Sequence, residues 1–306
     1  MMMALSAALM GLVLVPHVVA WGSLGHMTTA FVASRFVRDE TRKHFQSLLG
    51  DDQDDYLASV ASWADSVRYT RWGRFTSTFH FIDAHDDPPY RCNVDLDRDC
   101  KATGCVITAL ANYTRQSLDE ELPKWRRAQA AKFVIHFVGD LHQPLHNEDV
   151  QKGGNGIYVL WDDKEFNLHH VWDTSIAEKW IGGGGGGGKP GVDEAERWAN
   201  QLALAITDGK FSDEKKKWLD HLDFSHPIDT AMAWSREANA FVCTHVLPDG
   251  VEGVRDLELG GRYFDKAGPV VERQVARAGY RMAAWLDAIA AEFRASKNRR
   301  QATLEL

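Results

Sequence analysis

The first twenty of the chain's 306 residues contain no Asp, Glu, Lys or Arg. An apolar run from Ala8 to Val15 leads into Val18-Val19-Ala20. Short residues at −3 and −1 read as a signal-peptidase site after Ala20, which makes residues 1–20 a leader. The run is short for a bilayer span, so a membrane anchor is the weaker reading. No later stretch stays apolar long enough to cross a membrane; the last amphipathic segment carries Arg277, Arg281, Asp287 and Glu292. Positive charge is also in short supply. With 35 Lys and Arg against 43 Asp and Glu, the net charge is −8. That balance excludes a protein that coats duplex DNA by counterion release, so any work on nucleic acid must draw positive charge from elsewhere. There is no P-loop, no dinucleotide fingerprint and no nucleophile elbow. Cysteine is limited to four, an even count that suits two structural disulfides in an oxidising compartment, and spacing alone leaves three pairings open.

Helical periodicity dominates what is there. Leu24, Met27, Phe31, Val32 and Phe36 mark one face of a first helix that should stop near Gly50. Leu57, Val60, Ala64 and Val67 mark a second, and Ala128, Ala131, Ile135 and Val138 a central one ended by Pro144. A long last helix runs through Val271, Val275, Ala278, Met282, Leu286, Ile289 and Phe293. The exception is Ile157–Trp161, then Asp162-Asp163, then Glu165–Leu168, which reads as a short β-hairpin. The expected fold is mainly α and multi-helical, a single domain over residues 21–295 with one small hairpin, followed by a polar C-terminal tail at 296–306. Seven glycines, Gly182 to Gly188, cannot hold a helix and read as a loop, most simply a tolerated surface insertion. Asn112-Tyr113-Thr114 is a glycosylation sequon, in keeping with export.

Thirteen histidines are present, and their spacing is informative. His136 and Asp140 stand four apart inside the central helix, so both share one face, about 5–6 Å apart at Cβ. His169 and Asp173 repeat that spacing just after the hairpin, and His142 and His146 bracket Gln143-Pro144-Leu145. Asp65 follows Trp63-Ala64, and His80 and Asp83 lie in "FHFIDA". One such pair on a helix is ordinarily a solvated pair or a satisfied core histidine. Two pairs among buried-type residues point elsewhere. An unpaired buried carboxylate is costly, and a cation removes that cost. Imidazole and carboxylate donors without thiolate favour zinc, and a catalytic site over a purely structural one.

"WGSLGH", "WAD", "HFIDA", "IHFVGDLHQPLH", "GGN" and "NLHHVWDT" occur in that order. Together they resemble the zinc-dependent single-strand-specific nucleases, a family of fungal nucleases, plant class I endonucleases and protozoal 3'-nucleotidase/nucleases. The likeness runs from Trp21 to about Phe293. It implies three zinc ions. One is held by Asp65, His80, His136 and Asp140. A second is held by His26, Asp140 and Trp21, whose α-amino nitrogen and carbonyl oxygen become ligands once the leader is cut. The third is held by His146, His169 and Asp173. A free amine must lose its proton to bind, so metal affinity at Trp21 should fall in acid. Trp21 as a hydrophobic anchor of the first helix is compatible with that role. His142, His170 and His85 are left over and read as supporting or surface residues, with support of a ligand favoured for His142. The family pattern joins Cys92 to Cys243 and Cys100 to Cys105.

The resemblance also implies the chemistry. Two bridged metals hold a hydroxide that attacks phosphorus in line, and the remaining zinc stabilises the leaving oxygen. The products would be 5'-phosphates, and 3'-mononucleotides would be dephosphorylated too. Asp140 bridges, Asp83 orients water or contacts the base, and Arg68 binds phosphate. Phe81 is the stacking platform, where plain core packing is the bland alternative. Gly154 and Asn155 on the "GGN" loop meet the base edge. Expected substrates are single-stranded DNA and RNA and 3'-mononucleotides, acted on by a secreted or secretory-lumen monomer. Two rivals remain. A zinc phospholipase C shares the ligand layout but ends its last metal motif in Glu, where this chain has Asp173. A non-catalytic zinc-binding protein would keep the ligands without turnover.

Overall fold

The computed structural model describes residues 21–182 and 191–304. The expected leader at 1–20, the glycine run beyond Gly182 and residues 305–306 lie outside the described residues.

Helix α1 (Ser23–Phe36) carries the apolar spacing from Leu24 to Phe36 and ends at Val37, whose backbone turns extended. A separate helix, α2 (Asp39–Leu49), follows and stops at Gly50. The single helix expected up to Gly50 is therefore two. In a continuous helix the Arg38 N–H would donate to the Ser34 carbonyl. It donates instead to Asp287 Oδ1 on the last helix, and the Ser34 carbonyl accepts from the Arg42 guanidinium. The second expected helix is also interrupted, into a 3₁₀ turn (Ala58–Val60) and the short α3 (Trp63–Val67). The break falls at Ala61, whose carbonyl accepts from His136 Nδ1 at 2.7 Å. A carbonyl turned toward a ring on another element is lost to its own helix.

Short α4 (Leu96–Asp99) and longer α5 (Val106–Leu118) precede the central α6 (Lys124–Leu141). From Ala130 onward every residue of α6 except Lys132 is buried, as expected of a helix enclosed on all sides. The hairpin is β1 (Tyr158–Trp161) against β2 (Lys164–Asn167), with Tyr158 opposite Asn167 and Trp161 opposite Lys164. Asp162 and Asp163 take φ of 49° and 63°, the two positive values that a two-residue type I′ turn demands. Then come α7 (Leu168–His170), a π-helical turn (Val171–Ser175), α8 (Ile176–Trp180), α9 (Val192–Thr207) and α10 (Pro227–Phe241).

The last helix, α11 (Arg262–Leu304), has 43 residues and is about 64 Å long at 1.5 Å per residue. It continues through 296–304, so that much of the polar tail is helical. Helices α1, α2, α6, α8 and α9 pack along it, and α5 packs on α6. Trp21, Phe31, Phe137, Trp234 and Trp285 are fully buried at these contacts. The described residues thus form one mainly α domain of eleven helices and one hairpin. Among them no helix is long and apolar enough to cross a membrane. Disulfides join Cys92 to Cys243 and Cys100 to Cys105, the pairing that the resemblance implies.

Candidate metal centre and cleft

The buried end of α6 carries His136 and Asp140 on one face, with His136 Nε2 3.2 Å from Asp140 Oδ2. Around them the fold gathers three more side chains. His80, at the end of a 3₁₀ turn (Arg74–His80), puts Nδ1 3.1 Å from Asp140 Oδ2 and 3.0 Å from His136 Nε2. Asp65 on α3 brings Oδ1 within 3.5 Å of His136 Nε2 and 3.7 Å of His80 Nδ1. His26 on α1 stacks on the His136 ring at 4.0 Å and reaches Asp140 Oδ1 at 3.3 Å. This approach of α1 to α6 requires glycine at 139, because a Cβ there would lie 2.8 Å from His26 Nδ1. Trp21 clamps the same spot, its buried indole N–H donating to the Gly139 carbonyl at 2.8 Å.

A second group lies beside the first. His169 Nε2 is 3.2 Å from Asp173 Oδ2, and His146 Nε2 is 3.6 Å from Asp173 Oδ1. Asp140 Oδ1 is also 3.8 Å from His146 Nδ1. Asp140 therefore turns one oxygen toward His80 and His136 and the other toward His26 and His146. Backbone carbonyls set the tautomers, since a carbonyl only accepts. Nδ1–H of His136, His146 and His169 donates to Ala61, His80 and Gly153 respectively, so in the neutral form of each ring it is Nε2 whose lone pair faces its group. Gln143, unremarked in the sequence, donates its amide to Asp173 Oδ1.

The electrostatics are those of crowded opposite charges. Burial opposes a charge on His136, but the carboxylates of Asp140 and Asp65 override it and push the ring up to about 10. Burial holds His80 down to about 4 despite Asp140. His26 is lowered by burial and by His136. Burial opposes ionisation of Asp140 and Asp173 as well, yet neighbouring imidazoles keep both well below the usual carboxylate range.

A metal fits these donors. His26 Nε2, both Asp65 oxygens, His80 Nε2, Asp140 Oδ1 and His146 Nε2 are buried without a hydrogen-bond partner, a state that buried polar atoms rarely sustain. Donors 2.0–2.1 Å from a tetrahedral ion sit about 3.3–3.4 Å apart, and the separations above scatter around that value. His26–Asp65–His136, His80–His136–Asp140 and His146–His169–Asp173 each bring their donor atoms within 4.8 Å of one another.

His80, His146 and His169 open onto a cavity of about 340 Å³. Its wall includes Arg68, Phe81, Asp83 and Asn155 from the expected set, and Lys101, Glu148, Asp149 and Lys152, which sequence reasoning passed over. Arg68 reaches 3.7 Å from Asp65 Oδ1. Asn155 donates to the Lys152 carbonyl at 2.8 Å. Gly153 lines the cavity, whereas the expected Gly154 packs behind it on Leu145 and the His169 backbone. Residues 151–154 pass through four successive left-handed conformations, including non-glycine Gln151 and Lys152 with φ of 49° and 60°. Such strain persists where surrounding contacts impose it, and here it delivers the Gly153 carbonyl to His169. Burial and Asp86 push the Glu148 carboxyl up to about 8.

The leftover histidines stand apart from the donor groups. His142, read as supporting a ligand, faces the other way: Nδ1 donates to the Val138 carbonyl and Nε2 meets the buried Arg281 at 3.1 Å. It is a strut between α6 and α11, because the turn at the end of α6 sends it opposite to Asp140. His85 pairs with Asp149 at 3.0 Å, and His170 stacks on Phe166. Asn112 sits half-buried on α5, where its side chain accepts from Arg115.

Residues 21–291 match the model of the family described as S1/P1 Nuclease. Nuclease S1 of Aspergillus oryzae is 44% identical over 292 residues, covering 95% of this chain and 98% of the relative. Nuclease P1 of Penicillium citrinum is 42% identical over 269 residues, 88% of this chain and 97% of the relative. Endonuclease 4 of Arabidopsis thaliana is 32% identical over 291 residues, 90% of this chain and 91% of the relative. The matched span takes in all eight His and Asp donors and the whole cavity wall.

Proposed function

The chain belongs to the S1/P1 nuclease family and is a nuclease, and from that premise we propose that it is a secreted, zinc-dependent enzyme that hydrolyses single-stranded DNA and RNA to 5'-phosphate products and also acts as a 3'-nucleotidase. The observation that carries this reading is the meeting of eight buried His and Asp side chains, three of which, His80, His146 and His169, line a cavity that also bears the Phe81 ring. Three zinc ions would be held by Asp65, His80, His136 and Asp140; by Trp21, His26 and Asp140; and by His146, His169 and Asp173. Bound there, they would supply Lewis acidity, lowering the pKa of water and offsetting charge on the phosphoryl oxygens. They would also bring six positive charges to one cleft of an acidic protein.

The chain's own residues account for the rest. Asp140, whose two carboxylate oxygens face different histidines, would serve two of these sites. Arg68, which lines the cavity 3.7 Å from Asp65 Oδ1, would offer its guanidinium to a phosphate. Phe81 offers a face on which a base stacks, and Asp83 and Asn155, beside Gly154, meet the base edge or orient water. A base in a duplex must first be extruded to reach such a wall, which is the physical reason for single-strand preference.

The test uses protein that begins at Trp21, so that its amine is free. Single-stranded DNA, RNA, duplex DNA, 3'-AMP and phosphatidylcholine are each incubated with and without a zinc chelator. Chelator-sensitive release of 5'-nucleotides from single strands is the expected result. Diacylglycerol release without nucleotides would hand the site to phospholipase chemistry, and metal-loaded protein silent on every substrate would make this a binding protein.

A further inference from the structure

The Lys101 ammonium hydrogen-bonds Asp83 Oδ2 at the edge of the cavity. The two partners are unlike in exposure: the Lys101 side chain is 60% exposed and that of Asp83 is 13% exposed. The backbone that carries Lys101 is closed into a tight turn. It sits in the loop closed by the Cys100–Cys105 disulfide. Within that loop the Gly104 N–H donates to the Lys101 carbonyl at 2.8 Å. Gly104 has φ of 100°, and a Cβ there would meet the Phe79 ring at 3.0 Å, so only glycine closes the turn this tightly. The next residue, Cys105, caps α5, and the Val106 N–H donates to the Phe81 carbonyl at 3.1 Å. The contacts form a ring: Phe81 to Asp83 along the chain, Asp83 to Lys101 by the ion pair, Cys100 to Cys105 by the disulfide, and Val106 back to Phe81.

We propose that Lys101 is a specificity-determining positioning residue, which neutralises Asp83 and fixes its carboxylate beside the base that stacks on Phe81. This rests on the nuclease reading above. A lone carboxylate at the mouth of the cleft repels a phosphate chain, and it swings freely about two torsions. Paired with Lys101, Asp83 presents a neutral unit to the strand, with one oxygen held by the ammonium and the other left for a donor on the base. The disulfide loop fixes the lysine, so Asp83 and Phe81 keep a constant relation to each other. The strand then meets an aligned ring and acceptor rather than an anion.

Steady-state kinetics on a short single-stranded oligonucleotide, with zinc content measured on the same samples, tests this. Lys101→Ala should raise KM about tenfold while kcat and zinc content hold, and Lys101→Arg should recover most of the loss. In an Asp83→Asn background the same Lys101→Ala change should alter KM less than about twofold, because the two residues act as one unit. Replacing Cys100 and Cys105 together by Ser should reproduce part of the KM rise. An unchanged KM in Lys101→Ala overturns the proposal. So does an equal KM penalty with and without the Asp83 carboxylate, which would make Lys101 an independent phosphate contact. A fall in kcat and zinc at constant KM would reduce it to a structural residue. A wild-type protein inactive on every nucleic acid would instead bring down the nuclease reading itself.

Discussion

The inner and outer donor groups make an instructive pair. The inner group draws His26, Asp65, His80, His136 and Asp140 from α1, α3, a 3₁₀ turn and α6, far apart in sequence. The outer group, His146, His169 and Asp173, lies between residues 146 and 173, on the short turns around the hairpin. In the inner group two carboxylates push the His136 ring up to about 10 against its burial, while burial holds His80 near 4. In the outer group Asp173 lies between two histidines and takes a hydrogen bond from Gln143. The inner donors are therefore part of the packing of the long helices, and the outer donors sit on short helical turns beside the cleft. Loss of an inner donor should disturb metal, packing and activity together, whereas loss of an outer donor should separate activity from stability.

The largest effect is expected from Asp140→Asn, since this carboxylate faces both inner and outer histidines. Hydrolysis of single-stranded DNA should fall by at least about 10³-fold, more than one zinc per chain should be missing by elemental analysis, and the melting temperature should drop. Retention of a full metal complement would erase the distinction assigned to Asp140. Asp173→Asn comes next. It should cost about 10²-fold or more in rate and one zinc, with the melting temperature within a few degrees of the parent. A melting shift as large as that of Asp140→Asn would collapse the comparison between the groups.

Phe81→Ala should spare both groups. A base stacked on an aromatic ring contributes about 1–3 kcal/mol, so KM should rise about tenfold with zinc content intact. Loss of zinc in this variant would end the stacking role.

The smallest effect serves as a control outside both groups. His44 packs against Phe45 and Phe293 near Arg127 and Arg294, where burial first, and those cations second, hold its ring down to about 4 from an ordinary 6.5. The unfolded chain binds a proton there more readily than the folded one. Stability contributed by the neutral ring is present above pH 6.5 and is lost as pH falls toward 4. His44→Phe should flatten the fall of melting temperature over that window, measured on chelated protein so that metal release plays no part. An unchanged slope would show that acid unfolding starts elsewhere.

Much of this site was legible in the linear chain, because its key spacings are local. His136 with Asp140, and His169 with Asp173, share a face through helix geometry alone, and Asp162-Asp163 between alternating residues announces the hairpin. The resemblance extends that reading to Trp21 and His26. What stayed hidden is what arises between elements. Lys101 looks like any loop lysine until the disulfide turn brings it to Asp83. Gln143 and Glu148 lie beside expected donors, but nothing in their spacing says that one holds Asp173 and the other lines the cleft. The breaks at Val37 and Ala61 carry no proline or glycine signal. They appear only when Asp287 and His136 compete for backbone groups of distant segments.

By itself, then, the sequence determined the kinds of donor, their pairing along helical faces, the helical class and the hairpin, since each follows from residue type and the pitch of a single element. The tertiary structure decided which pairs share a cavity, which nitrogen of each imidazole faces the donor group, why His142 serves the core rather than the site, and which cation partners Asp83. Those outcomes depend on distances between separate elements, set by packing at Gly139, Trp21 and α11, and no local propensity encodes them.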